Sequence, residues 1–162
     1  MKETQLIVAY KELEHAGELP PVFQELLRKA KEAVGDAYAP YSNFYVGAAA
    51  LLANGVMVKG SNQENASSPV GICAERVTLS AVSAMYPGIA IEALAISAKP
   101  LNHTLNEPAA PCGICRQTIA EYEERFKKNI QIILQGESGK ILWLQSAQIL
   151  LPFSFGRDDL NP

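Results

Sequence analysis

Pro111-Cys112-Gly113-Ile114-Cys115-Arg116-Gln117 sets a Cys-x-x-Cys pair at the mouth of a predicted helix, Gly113 to Phe126. Two thiolates at this spacing can face one metal ion, and the backbone N–H groups and dipole of a helix start favour negative sulfur. Alone, the pair also fits a redox dithiol. The third cysteine separates the two readings. Cys73, in Cys73-Ala74-Glu75-Arg76, sits at the start of a second predicted helix, Ala74 to Met85. Two helix starts would then converge on one cation. Three protein ligands leave one tetrahedral position open, the arrangement of catalytic zinc, whereas structural zinc closes with four. His15 and His103 stand alone, in an N-terminal extension and a loop, and read as solvated. Glu75 lies two residues after its cysteine. Without being a ligand, its carboxylate can stand beside the open position and accept a proton from water there. Taken alone it would be a first-turn glutamate favoured by the dipole. Three thiolates around Zn²⁺ leave a formal charge of about -1, which a guanidinium could offset. Arg76 and Arg116 are the candidates, although both also suit surface salt bridges.

Outward from these two helix starts, the periodicity supplies the rest of the fold. Val22, Phe23, Leu26, Leu27, Ala30, Ala33, Val34 and Ala37 recur at helical intervals after Pro21, and that helix is expected to end before Pro40. Phe44 to Leu52 reads as a buried strand, Ala53-Asn54-Gly55 as a hairpin turn, and Val56-Met57-Val58 as the returning strand. Ile89 to Ser97, Ile130 to Leu134 and Ile141 to Leu144 read as further strands. Glu121 to Lys128 is charged and is expected to be solvated. Helices alternating with strands imply an α/β fold, a three-layer α/β/α sandwich with a mixed, about five-stranded sheet. Residues 1 to 20 read as an N-terminal extension, with an apolar patch at Leu6-Ile7-Val8 that could dock on a neighbour or on the chain itself. Residues 21 to 162 read as a single domain.

The 162 residues suffice for one packed core, and 48% are hydrophobic, which argues against disorder. A net charge of -3 speaks against a protein that coats nucleic acid but not against binding an uncharged nucleoside. Three cysteines, an odd count, do not suggest a disulfide framework. The N-terminus lacks the apolar core of a secretory signal, and the longest apolar stretch, Val46 to Ala53, is too short to span a bilayer. A cytoplasmic location is the expectation.

Cys73-Ala74-Glu75 with Pro111-Cys112-Gly113-Ile114-Cys115-Arg116-Gln117 resembles the zinc signature of the small, homotetrameric cytidine deaminases of the three-cysteine type. Three further segments extend the resemblance over roughly residues 22 to 160. Ala39 to Ala49 is similar to the family's first substrate loop and strand. Asn62-Gln63-Glu64-Asn65-Ala66 is similar to its ribose segment, and Leu150-Leu151-Pro152-Phe153-Ser154-Phe155 to its C-terminal closing motif. The resemblance implies one Zn²⁺ per chain on Cys73, Cys112 and Cys115, with Glu75 as proton carrier. It implies that Phe44 lines a nucleoside pocket and that Asn62 and Glu64 bond the ribose hydroxyls. The Ala74 N–H would hold the base carbonyl, the Ala110 carbonyl would accept from the exocyclic amine, and Phe155 would reach the base from a neighbouring subunit. The implied reaction is hydrolytic deamination of cytidine and deoxycytidine to uridine and deoxyuridine with release of ammonia, a step of pyrimidine salvage. One stretch departs from the pattern. Ser67-Ser68-Pro69 stands where the family usually has an aromatic residue, which removes a large apolar wall. That departure motivates a second reading, a deaminase of a modified cytosine nucleoside such as a blasticidin-like antibiotic. A third reading is a zinc-stabilised binding module without turnover, which would show a fourth protein ligand.

Overall fold

The structure, a computed structural model, describes residues 1–160; Asn161 and Pro162, the end of the expected domain, lie outside the described residues. Its regular elements are β1 (Lys11–Leu13), α1 (Pro21–Val34), β2 (Phe44–Leu52), β3 (Met57–Ser61), α2 (Ala74–Met85), β4 (Ile91–Pro100), α3 (Gly113–Phe126), β5 (Gln131–Gln135), β6 (Ile141–Leu144) and α4 (Arg157–Leu160). The strands form one sheet in the order β1-β6-β5-β4-β2-β3. Only the β4–β5 pair is parallel; every other neighbour is antiparallel.

Period-two alternation sorts the strand residues onto two faces. Ala48, Ala50 and Leu52 of β2, Leu94 and Ile96 of β4, and Ile132 and Leu134 of β5 pack with α2 and α3. Their alternates Ala49, Leu51, Ala93, Ala95 and Ile133 pack with Phe23, Leu26, Leu27 and Ala30 of α1. The result is the expected α/β/α sandwich. Small residues on the α1 face let that helix lie close. Gly47 marks the limit: a Cβ there would stand 2.1 Å from the Ala30 carbonyl oxygen and 2.5 Å from the Val34 nitrogen. Both are backbone atoms of α1, so neither can swing aside. Gly47→Ala is expected to destabilise the fold by roughly 2–3 kcal/mol through overpacking. Urea denaturation would read this as a lower midpoint at unchanged slope.

The structure departs from the expectations at several points, among them β4, which runs from Ile91 to Pro100 where Ile89 to Ser97 was expected. The sheet has six strands where about five were expected, because Lys11–Leu13 of the extension pairs with β6. Its Lys11 ammonium lies 4.3 Å from the Trp143 ring centroid, and Trp143 meets Phe23 edge to face. α1 stops at Val34, three residues before Ala37, with Gly35 at its end. β3 runs to Ser61, beyond the expected Val58. The charged end of α3 is not uniformly solvated, since Glu123 is 2% exposed. The apolar patch Leu6-Ile7-Val8 lies beside Ile149 and Pro152 of its own chain and remains exposed. Among the described residues no helix is long and apolar enough to cross a membrane.

Candidate metal centre and pocket

Cys73 and Cys112 occupy the N-cap positions of α2 and α3. N-caps are normally Ser, Thr, Asp or Asn, whose oxygens satisfy the first free N–H groups. Both cysteines have extended backbone and neither side chain makes a capping hydrogen bond. Their sulfurs are therefore free to face each other across the gap between the helices. Cys73 Sγ and Cys112 Sγ are 3.9 Å apart, and Cys112 Sγ and Cys115 Sγ 3.5 Å. A tetrahedron with Zn–S bonds of 2.3 Å has edges of about 3.8 Å, so the donor spacing fits zinc. A staple farther along the helices holds the two starts in place: Tyr122 Oη of α3 donates to the Leu79 carbonyl of α2 and lies 2.5 Å from Ser83 Oγ.

All three sulfurs lie within 4.8 Å of one another, and among the described residues no fourth His, Cys, Asp or Glu atom joins them. A closed structural site would need that fourth ligand. His15 and His103 are exposed, away from the cluster, as expected. The neighbouring Cys115 thiol holds Cys73 at about 6, below the ordinary thiol range, and burial opposes it. Cys115 is pushed far up in return, because it keeps the proton it shares with Cys73. A coordinated cation removes that competition by deprotonating every ligand thiol. The three cysteines are thus a zinc site by geometry and by donor chemistry.

Glu75 is 5% exposed, on the first turn of α2. Burial raises its carboxyl above the usual range, against smaller opposing contributions from its own backbone and the Cys115 thiol. With Glu75, a cavity of about 340 Å³ gathers Phe44 from β2, Asn62 after β3, Ala74, Ala110 and the sulfur-bearing residues Cys73 and Cys112. Those residues come from four separated segments. Ser42, Val46 and Ile96 also line it and were not singled out from the sequence. Asn62 is fixed by β2: its Oδ1 accepts from the Val46 N–H at 2.8 Å and its Nδ2 donates to the Phe44 carbonyl at 2.9 Å. One amide hydrogen and one lone pair are left for a ligand.

Glu64 lies in an adjoining cavity with Tyr41, Asn65 and Ser68. Its Oε2 accepts from the N–H groups of Tyr41 and Ser42, which ties the loop before β2 to the segment after β3. Hydrogen bonding by Ser42 and the Tyr41 N–H holds this carboxyl below its ordinary value. The two arginines differ. Arg76 acts on Cys73 through its charge, favouring the thiolate. Arg116 does not donate to sulfur as expected: its Nε bonds the Pro111 carbonyl and its Nη1 the Leu150 carbonyl. Phe155 lies outside this cavity, 60% exposed, over Ala120, Glu121 and Glu124 of α3.

The family model described as cytidine and deoxycytidylate deaminase zinc-binding region matches residues 22–130. The cytidine deaminase of Halalkalibacterium halodurans is 37% identical over 139 residues, 85% of this chain and 97% of its own. That of Sporosarcina psychrophila is 35% identical over 139 residues, 85% of this chain and 94% of its own. Among solved structures, the cytidine deaminase from Burkholderia pseudomallei aligns with a TM-score of 0.69 at 40% identity, covering 81% of this chain and 97% of that one. The enzyme from Mycobacterium tuberculosis aligns with a TM-score of 0.63 at 32% identity, over 83% and 97%.

Proposed function

This chain belongs to the cytidine and deoxycytidylate deaminase family, and from that premise we propose that it hydrolyses cytidine and deoxycytidine to uridine and deoxyuridine, releasing ammonia. The observation that carries the reading is a three-sulfur cluster with no fourth protein ligand among the described residues, opening beside a buried glutamate into a cavity of nucleoside size. Cys73, Cys112 and Cys115 would hold zinc, which when bound would lower the pKa of water toward neutrality. In this proposal Glu75 moves the protons: it takes one from water and delivers it to ring N3 as the hydroxide adds to C4, then passes the proton of the new C4 hydroxyl to the amine, so that the C4–N bond breaks, C4 becomes a carbonyl and ammonia leaves. A carboxyl raised by burial suits that task, because it can hold the proton between the two transfers. The Ala74 N–H holds the base carbonyl and the Ala110 carbonyl accepts from the exocyclic amine. Phe44 covers the nucleoside, while Asn62 and Glu64 take the ribose hydroxyls. Arg76 offsets the thiolate charge.

Phe155 completes the site from a second copy of the chain. Its exposure, away from the chain's own cavity, supports that placement. A homotetramer, a cytoplasmic location, a role in pyrimidine salvage and a division into an extension of 1–20 and a domain of 21–162 belong to the same proposal. The test is a cytidine deamination assay with metal analysis on one sample. We expect about one zinc per chain, the number that three cysteines can hold, with ammonia release in proportion to it. A metal-free chain with full activity would overturn the proposal. Stripping the metal with a chelator is expected to abolish turnover and lower the melting temperature, and added zinc is expected to restore both.

A further inference from the structure

α3 carries more than metal ligands. Beyond Cys112 and Cys115, its side chains hold the C-terminal segment at three levels. Glu123 accepts from the Ala147 and Gln148 N–H groups and from Ser146 Oγ, fixing the start of the turn Ala147–Leu150. Arg116 Nη1 donates to the Leu150 carbonyl at 3.1 Å, fixing its end. Gln117 Nε2 donates to the Phe155 carbonyl at 2.7 Å. Among the described residues, this last contact is the single hydrogen bond made by Pro152–Phe155. Phe153 is 92% exposed, so packing of that ring does little to hold the stretch. The Gly156 N–H of the same peptide unit bonds Asp159 Oδ2 within the C-terminal tail, so among the described residues the tie from the Phe155 backbone to α3, which sets where its ring stands, is one amide donor two residues beyond Cys115.

We propose that Gln117 is a positioning residue for substrate affinity: by holding the Phe155 carbonyl it sets where the Phe155 ring stands against the pyrimidine base. The proposal rests on the reading of Phe155 as a base contact. Since Gln117 and Cys115 share one helical turn, the helix that holds the metal in one subunit also aims the ring that a neighbouring site receives. Gln117 touches neither metal nor substrate and leaves the proton transfers alone.

The test is steady-state kinetics on the zinc-loaded enzyme with a double-mutant cycle. Gln117→Ala is expected to raise KM for cytidine about three- to tenfold, the worth of one lost hydrogen bond. kcat, zinc content and melting temperature are expected to stay at their wild-type values. Gln117→Glu, which keeps the length but cannot donate, is expected to raise KM at least as much. Phe155→Ala is expected to raise KM by itself and to make Gln117→Ala silent, because no ring remains to be aimed. A wild-type KM for Gln117→Ala, or KM effects that multiply in the double variant, would overturn the proposal while leaving the Phe155 reading intact. A silent Phe155→Ala would overturn both. Loss of zinc or of kcat in Gln117→Ala would make the residue a prop for the metal site and would also overturn it.

Discussion

Glu75→Gln is expected to cut cytidine turnover by about a thousandfold while the protein keeps its zinc. Glutamine matches the volume of the buried side chain, so the cavity it lines keeps its shape. What it lacks is a site that can gain and lose a proton near neutrality. General acid–base catalysis by one positioned group contributes about 10²–10⁴ in rate, and the same carboxyl is asked here to serve more than one transfer. The three sulfurs are within reach of one another without any help from Glu75, so metal analysis is expected to give the wild-type ratio. Folded stability is not expected to fall either. Burial pushes the Glu75 carboxyl up, which means the fold disfavours its charge, and a neutral amide does not carry that cost. Activity lost with metal and stability kept is the pattern of a proton carrier. Loss of zinc in Glu75→Gln would show the carboxylate to be part of the metal site instead.

How far the sequence revealed this structure depends on whether a residue's role left a periodic or spacing signal. α2 and α3 are legible to the residue, and a cysteine opens each. β2 was legible as an unbroken apolar run ended by a turn whose Gly55 takes a positive φ. The sequence shows β3 only as far as Val58, because Lys59, Gly60 and Ser61 lie on an edge strand, where one side of the ladder faces outward and hydrophobicity fades. β1 left no signal: Lys11-Glu12-Leu13 is a three-residue edge strand defined by its pairing with β6 alone. The metal ligands were legible through spacing, which survives without any knowledge of the fold. The carbonyl partners of Arg116 were not, since Leu150 is distant in sequence and a backbone acceptor carries no residue type.

Glu123 shows where charge misleads. Cys115, Ile119 and Glu123 recur every four residues and are all buried, so Glu123 continues the inward stripe of α3. The run of charged neighbours hid it. Its carboxylate accepts from the Ile130 N–H at 2.6 Å, the Ala147 N–H at 2.9 Å, Ser146 Oγ at 3.0 Å and the Gln148 N–H at 3.2 Å. One side chain thus joins the end of α3, the start of β5 and the turn after β6. Glu123→Ala is expected to cost about 2–4 kcal/mol, because the Ile130 and Ala147 N–H groups lose their acceptor in a place water does not reach easily. For a domain of this size that is a fall in melting temperature of roughly 5–15 °C. Glu121→Ala, two residues earlier on the exposed side of the same helix, is expected to change stability by about 0.5 kcal/mol or less. The two substitutions are indistinguishable by composition and differ only in the face they occupy. If thermal unfolding shows equal, small effects, the Glu123 carboxylate is not the fastener described. If Glu123→Ala unfolds early but zinc content per folded chain holds, the cost lies in the C-terminal turn and not at the sulfurs. That separation is expected, because Tyr122 fastens α3 to α2 independently, through the Leu79 carbonyl.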